Sequence, residues 1–400
     1  MKKILMLGGS SYLIPVIKEA KKNGYYVITC DYLPDNDAHK YSDEYHNLSV
    51  VDKEAVLKFA QERKIDGIIS YACDAGVVTA AYVAETMGLN FQCSYNSARI
   101  LQDKGLFRKF LSDNNFNCPK AKSYNDIKQA IDDISSFNFP VIVKPVDSAG
   151  SKGVSRADDK YMLQCSIKKA IENSKSGYFI VEEFIEFKGY HSSADVFTID
   201  GELAFCTYSD QLFDCESINP YAPTLIIWPS TMDKSDQEYL TSETQRLMKL
   251  LCMKTGIYNI ETCVGSDGKP YIMEVSPRGG GCKIAEIQNL ATGIDLIKAE
   301  VRNAVGDSIG EFNSYTFDGH WCEYVVHVTG EKKGRFKNLA ISDKLINNIK
   351  LIDLNVNEGD VIESFSGGNK SLGDVFLRFD SREAIDLNIL EQSNIKIEFK

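Results

Sequence analysis

GIYNIETCVGSDGKPYIMEVSPRGGG, residues 256–281, decides how the chain is read, because two apolar runs are split there by the four residues SDGK. In the first run Asn259 and Glu261 alternate with apolar residues; in the second Glu274 and Ser276 do the same. A period of two is the signature of a strand. Asp267-Gly268 predicts a two-residue hairpin turn, whose central residues both take positive φ. On that turn Ser266 pairs with Lys269, and counting outward sets Glu261 across from Glu274 and Asn259 across from Ser276, all on one face. Opposed carboxylates repel. A divalent cation held by oxygen ligands alone, which selects magnesium over zinc or copper, relieves the repulsion. Water does so as well if the hairpin faces solvent. The second run ends on Pro277, Arg278 and three glycines. A guanidinium and bare amides suit phosphate oxygens, and a glycine run also suits an ordinary loop.

Two more segments raise the same question. FPVIVKPVDSAGSKGV, residues 139–154, places Lys144 at the end of an apolar strand, ahead of a small-residue loop of Ser148, Ala149, Gly150, Ser151, Lys152 and Gly153. Lysine supplies a point charge for phosphates, and such a loop lets amides close over their oxygens. It is not the G-x-x-x-x-G-K-[ST] phosphate loop, which occurs nowhere in the chain. In YFIVEEFIEFKGYHSSADVF, residues 178–197, Glu182 and Glu183 interrupt an apolar strand. Buried, they need partners, and the exocyclic amine of adenine is one; on an edge strand they face water instead.

The rest of the chain frames these segments. Strands at 3–7, 25–30 and 67–70 alternate with helices at 12–22, 53–63 and 76–87, predicting a parallel, doubly wound α/β sheet for the first hundred residues. A helix over 104–113 leads to a boundary near 115. Strands follow at 140–145, 178–183, 193–199, 203–208, 257–264 and 270–276, with helices at 160–174 and 236–254. The stretch 209–230, rich in aromatics and proline, reads as too irregular for a plain strand and as a binding loop. From about 318, short strands with Gly, Asn and Asp turns and one helix near 381–386 suggest a separate cap, or a sheet that completes a site. A chain of 400 residues exceeds one core, since cores stop growing at roughly 250 to 300 residues. A net charge of -11 argues against nucleic acid as the main partner. Eleven scattered cysteines without C-x-x-C point to a reduced, cytoplasmic protein without zinc, and no apolar run is long enough for a membrane span.

Taken in this order, the segments resemble the ATP-grasp superfamily, in particular its carboxylate-amine ligases and carbamoyl-phosphate-synthetase-like members, over about residues 1–310. The resemblance implies a Rossmann-like domain at 1–115, an ATP-grasp domain at 116–317 with a mobile lid at about 118–185, and a carboxyl-terminal α+β lobe at 318–400. NSARILQDKGLFRKFLSDNNFNCP, residues 96–119, is similar to the family's entry helix, which makes Lys104 a phosphate contact beside Lys144. The loop 148–153 corresponds to the cover over the triphosphate. VEEFI corresponds to the adenine hinge, implying the Glu182 side chain and the backbone of Glu183, Phe184 and Ile185 as adenine contacts, with Met273 beside them. Glu261 and Glu274 correspond to the magnesium ligands, and Arg278 to the arginine at the transferred phosphoryl group. Where the family usually has a third ligand, Asn, this chain has Ser276, and the hairpin register offers Asn259 as a substitute. Where the family has a ribose-binding acid, this chain has His191. The implied cofactors are ATP and two magnesium ions, with manganese as the alternative.

The implied reaction joins a carboxylate to an amine through an acyl phosphate, on an amino acid or small carboxylated metabolite, and a homodimer is compatible with it. The amino-terminal unit, including YACDAG around Asp74, helps to form the acceptor site in the resembling enzymes. Its LGGSSYL has Leu13 where a dinucleotide fingerprint has its third glycine, which disfavours a nicotinamide cofactor. Two alternatives stand beside the ligase: a bicarbonate-activating enzyme related to carbamoyl phosphate synthetase or biotin carboxylase, and a catalytically silent nucleotide-binding scaffold.

Overall fold

A computed structural model describes residues 1–148, 150, 152–391 and 394–400. The run KILML at Lys3–Leu7 is buried from Ile4 onward, as the central strand of a parallel sheet must be. That sheet has the order 44–47, 26–31, 3–7, 67–70, with helices Ile14–Lys22, Lys53–Arg63 and Asp74–Met87 around it. Side-chain caps start the next helices: Ser94 accepts from the Ser97 N–H and Asp103 from the Leu106 N–H. The second of these caps sets Lys104 on the first turn of Lys104–Asp113. The helix expected from 76 begins at Asp74, so the Asp74 carboxylate lies in its first turn.

The expected lid forms its own layer. Four antiparallel strands in the order Ala121–Tyr124, Phe179–Glu183, Val141–Pro145, Ser155–Ala157 carry the helices Ile127–Asp133 and Lys160–Glu172. Val141, Val143, Leu163, Ile167, Phe179 and Val181 make a core separate from the rest of the molecule.

A nine-stranded sheet forms the floor. Its order is 270–276, 256–265, 187–199, 210–213, 223–228, 320–326, 373–379, 349–354, with 202–205 on a branch beside 187–199. One expectation changes here. Residues 209–230 are not simply an irregular connection: Asp210–Phe213 and Pro223–Trp228 are antiparallel strands. Ile226, Ile227 and Trp228 are fully buried between neighbours, and that burial outweighs the aromatic and proline content that made the stretch read as a loop. After 318, where a separate cap or a sheet completing a site is expected, His320–Val326 pairs with Pro223–Trp228 and continues the same sheet. Only Lys333–Ile341, Val361–Glu363 and Ile395–Phe399 form a sheet of their own. Among the described residues no helix is long and apolar enough to cross a membrane.

Candidate active site

The hairpin reaches its expected register by an unexpected route. The Gly265 N–H donates to the Lys269 carbonyl at 2.8 Å, so the chain reverses through three residues, Ser266 to Gly268, and not two. Gly268 has φ 76° while Asp267 does not take positive φ, as in a three-residue turn closed by a left-handed glycine. That shifts the pairing by one, with Thr262 facing Ile272. A bulge at Met273 then shifts it back, so that Glu261 faces Glu274 and Asn259 faces Ser276. The Met273 carbonyl, freed by the bulge, accepts from Arg108 Nη1 at 2.8 Å.

A cavity of about 600 Å³ opens between lid, floor and amino-terminal domain. Of the residues singled out from the sequence, Lys104, Lys144, Ser148, Gly150, Lys152, Glu182, Glu183, Phe184, Ile185, His191, Asn259, Glu261, Met273, Glu274 and Arg278 line it. Ser151 lies outside the described residues. Gly153 and Ser276 are not on its wall. Gly153 backs the loop, where a Cβ would meet Asn173 at 2.7 Å and Pro145 at 3.0 Å.

At the lid end, Glu182 is an ion-paired hub. Its Oε1 binds Lys144 Nζ and its Oε2 accepts from Arg108 Nε at 3.1 Å. Burial raises its pKa, but Lys144 and Arg108 outweigh that and hold it at about 2. Its position on the cavity wall still offers lone pairs to a ligand. Along the hinge, the Glu183 and Phe184 N–H groups are used by the Lys120 and Pro140 carbonyls. The Ile185 N–H has no backbone partner among the described residues, which leaves it, unlike the two amides before it, open to an acceptor. His191 sits between the rings of Phe187 and Phe213, at centroid distances of 4.2 and 5.8 Å. Burial pushes it down to about 4, so it is neutral near pH 7 and able to donate or accept one hydrogen bond.

At the floor, Lys104 Nζ donates to the Ser148 carbonyl at 2.9 Å and lies 3.8 Å from Glu274 Oε2, tying the loop to the metal-type carboxylates. Burial, and then the facing Glu274, raise Glu261 above the usual carboxylate range. No third carboxylate, histidine or cysteine joins them among the described residues at metal-binding geometry. Two half-buried acids in opposition, with neutral oxygens beside them, fit a hard divalent cation. Ser276 meets that description poorly: it is 1% exposed, accepts from Gln102 Nε2 at 2.7 Å and donates to Asp74 Oδ1 at 2.8 Å.

Arg278 is also engaged. Its Nε and Nη2 grip Asp74 Oδ1 and Oδ2, each at 2.8 Å, in a bidentate pair across the domain junction. Burial opposes ionisation of Asp74, yet Arg278 and Ser276 bring it below the usual carboxylate range. Two of the three glycines follow from what crowds them. A Cβ at Gly279 would lie 2.1 Å from the Tyr71 ring, and one at Gly280 would lie 2.8 Å from Asn259 Nδ2 and 2.9 Å from Asp195 Oδ1. Cys282 and Lys283 then take left-handed φ of 52° and 47°, and Lys283 is anchored by Asp353 and Asp374.

Arg108, Asp74 and Asp195 are the participants that motif reading did not assign to these contacts. Arg108 left one signal, an arginine four residues after Lys104 on the same face of the helix. Asp195, inside an apolar strand, left none that separates it from Glu182.

Comparison with known proteins falls on the same region. Residues 101–282 match the family model of the ATP-grasp domain. The carbamoyl phosphate synthase large chain of Thermoanaerobacter sp. (strain X514) is 26% identical over 219 residues, 54% of this chain and 20% of that protein. The chain spans about a fifth to a quarter of the length of the carbamoyl phosphate synthase large chains it matches. The formate-dependent phosphoribosylglycinamide formyltransferase of Bacteroides thetaiotaomicron is 24% identical over 299 residues, covering 72% of this chain and 74% of its own. The L-amino acid ligase structure from Bacillus licheniformis superposes with a TM-score of 0.80 at 19% identity, over 100% of this chain and 99% of that one, so the two share a fold.

Proposed function

Because residues 101–282 match the family model of the ATP-grasp domain, we propose that the chain is an ATP-dependent ligase that joins a small carboxylate to an amine and releases ADP and phosphate. One observation carries the proposal: facing Glu261 and Glu274 share a cavity with Lys104, Lys144 and Arg278 among its cations, and with a hinge that presents Ile185. In this reading a carboxylate oxygen of the substrate attacks the γ-phosphorus of ATP as the bond to ADP breaks. The amine nitrogen then attacks the acyl carbon, phosphate leaves, and the nitrogen loses a proton.

Bound magnesium would supply charge neutralisation at the β- and γ-oxygens. Glu261 and Glu274 would hold it, with Asn259 as the neutral oxygen. Lys144 offsets triphosphate charge from the lid side and Lys104 from the floor, and Ser148, Gly150 and Lys152 close over it. Glu182, oriented by Arg108, faces the adenine, and neutral His191 takes a ribose hydroxyl. Arg278, set by Asp74, faces the phosphoryl group or the substrate carboxylate. This is positioning and preorganised electrostatics, with no protein nucleophile.

A phosphate-release screen over pairs of carboxylates and amines, with mass detection of products, tests the proposal. The expected result is phosphate release that needs both partners, with a product at their summed mass less water. ATP binding without turnover under every pair would support the silent nucleotide binder, and release stimulated by bicarbonate alone the bicarbonate-activating enzyme. A second expectation concerns pH. Glu261 holds its proton above the usual carboxylate range, so a metal must displace that proton on binding. Apparent magnesium affinity, titrated with ADP present, should therefore rise as pH is raised from about 6 to about 8. A flat profile would remove Glu261 from the ligand set.

A further inference from the structure

Asp195 lies on the strand Phe187–Ile199, directly opposite Asn259 in the sheet, and is fully buried. Its backbone is clamped by one side chain: the Asp195 N–H donates to Gln288 Oε1 at 3.2 Å, and Gln288 Nε2 donates back to the Asp195 carbonyl at 2.9 Å. Gln288 belongs to Ile284–Thr292, the helix that the glycine run leads into. With its backbone held, the carboxylate does two things. It accepts from the Gly280 N–H, at 2.9 Å through Oδ1 and 3.0 Å through Oδ2, and its Oδ1 accepts from Asn259 Nδ2 at 3.0 Å.

The second contact has a chemical consequence. A carboxylate only accepts, so it selects the orientation of the Asn259 amide that turns the NH2 inward. The other contacts of that NH2, with Ser193 Oγ and the Ala194 carbonyl at 3.5 Å each, agree with this orientation. Asn259 lines the cavity, and its Oδ1 makes no hydrogen bond among the described residues. The oxygen end therefore faces the side on which Glu261, two residues along the same strand, meets Glu274.

We propose that Asp195 is a positioning residue of the nucleotide site: it fixes Asn259 with its carbonyl oxygen toward the cavity, making Asn259 a cation ligand and not a donor to phosphate, and it pins Gly280 so that the turn after Arg278 keeps the same frame. The proposal rests on the nucleotide reading above. It also accounts for Gly280, since any side chain there would strike both members of the pair.

In Asp195→Asn, the new side chain has one oxygen and one NH2 for two donors. If the oxygen stays on Gly280, its NH2 draws the oxygen of Asn259 inward and turns the amide's N–H groups toward the cavity. The test is a manganese titration in the presence of ADP, followed by the electron paramagnetic resonance signal of free Mn2+, beside metal-free ADP binding and thermal melting. Asp195→Asn should bind Mn2+ about tenfold or more weakly, with metal-free ADP binding unchanged. Asn259→Ala should lose a similar factor, and the double variant should lose no more than either single one, because both act through one oxygen. Wild-type chain that binds no Mn2+ with ADP would sink the nucleotide reading itself. Wild-type binding with undiminished affinity in Asp195→Asn, or additive losses in the double variant, would overturn the positioning role alone. An Asp195→Asn chain that fails to fold would also overturn it, by assigning Asp195 to the core.

Discussion

Glu274→Gln is expected to lower ATP turnover by at least about a hundredfold to a thousandfold while leaving the fold as stable as before or more so. The two effects have opposite signs for one reason. Glu274 faces Glu261, and after burial it is the main cause of Glu261's raised pKa. Without a cation the pair is a net cost to the folded state; with one it is the ligand set. Removing one charge relieves the cost and removes the ligand, a trade of stability against function expected at an active site. Steady-state ADP release and thermal melting, on the same preparations, check both halves. Full turnover in the variant would falsify the assignment, and a collapse in melting temperature would mean that the hairpin needs Glu274 structurally.

The second large effect is on stability. Glu182→Ala should cost about 3–5 kcal/mol, because it leaves Lys144 and Arg108 buried together without a counter-charge. Equilibrium urea unfolding at neutral pH measures this. The pH dependence provides a further check. Glu182 is held at about 2 in the folded chain, below its ordinary value, so its contribution is full above the unfolded pKa of about 4.5 and is lost as pH falls through about 2. The gap between wild type and variant should therefore be widest near neutrality and close in acid. Adding Lys144→Met to Glu182→Ala should recover part of the loss by removing one of the stranded charges. A gap of under about 1 kcal/mol at neutral pH would show that water reaches the hub and screens it.

The two networks differ in how far they could be read from the residues. Lys144, Glu182 and the facing acids sit where apolar strands are interrupted, and a charge in an otherwise buried strand is visible in one dimension. Arg108 is less visible. It lies in an amphipathic helix where an exposed arginine would look the same, and only the packing of that helix between a lid strand and a floor strand buries it against Glu182 and the Met273 carbonyl. Ser276 shows the opposite case. The strand pattern put it on the face of Glu274 correctly, but its hydroxyl meets Asp74 and Gln102, partners 202 and 174 residues away in the chain.

What the residues determined by themselves was local and periodic. They set out the alternation of two strands around Asp267-Gly268, the buried run KILML, the capped helix that begins at Lys104, and the order of phosphate strand, hinge and acidic hairpin. These follow from side-chain periodicity and capping within a few residues, which act before any long-range contact forms. The tertiary structure decided the rest. A glycine serves a two-residue and a three-residue turn equally well, so the sequence could not choose between them. The bulge at Met273, its carbonyl taken by Arg108 from another domain, is what returns Glu274 to its place opposite Glu261. In the same way Asp74, 204 residues from Arg278, orients the arginine, and Asp195 decides which end of Asn259 the cavity meets. Each of these is a pairing of charges or hydrogen bonds between distant segments, and its geometry exists only once the domains have packed.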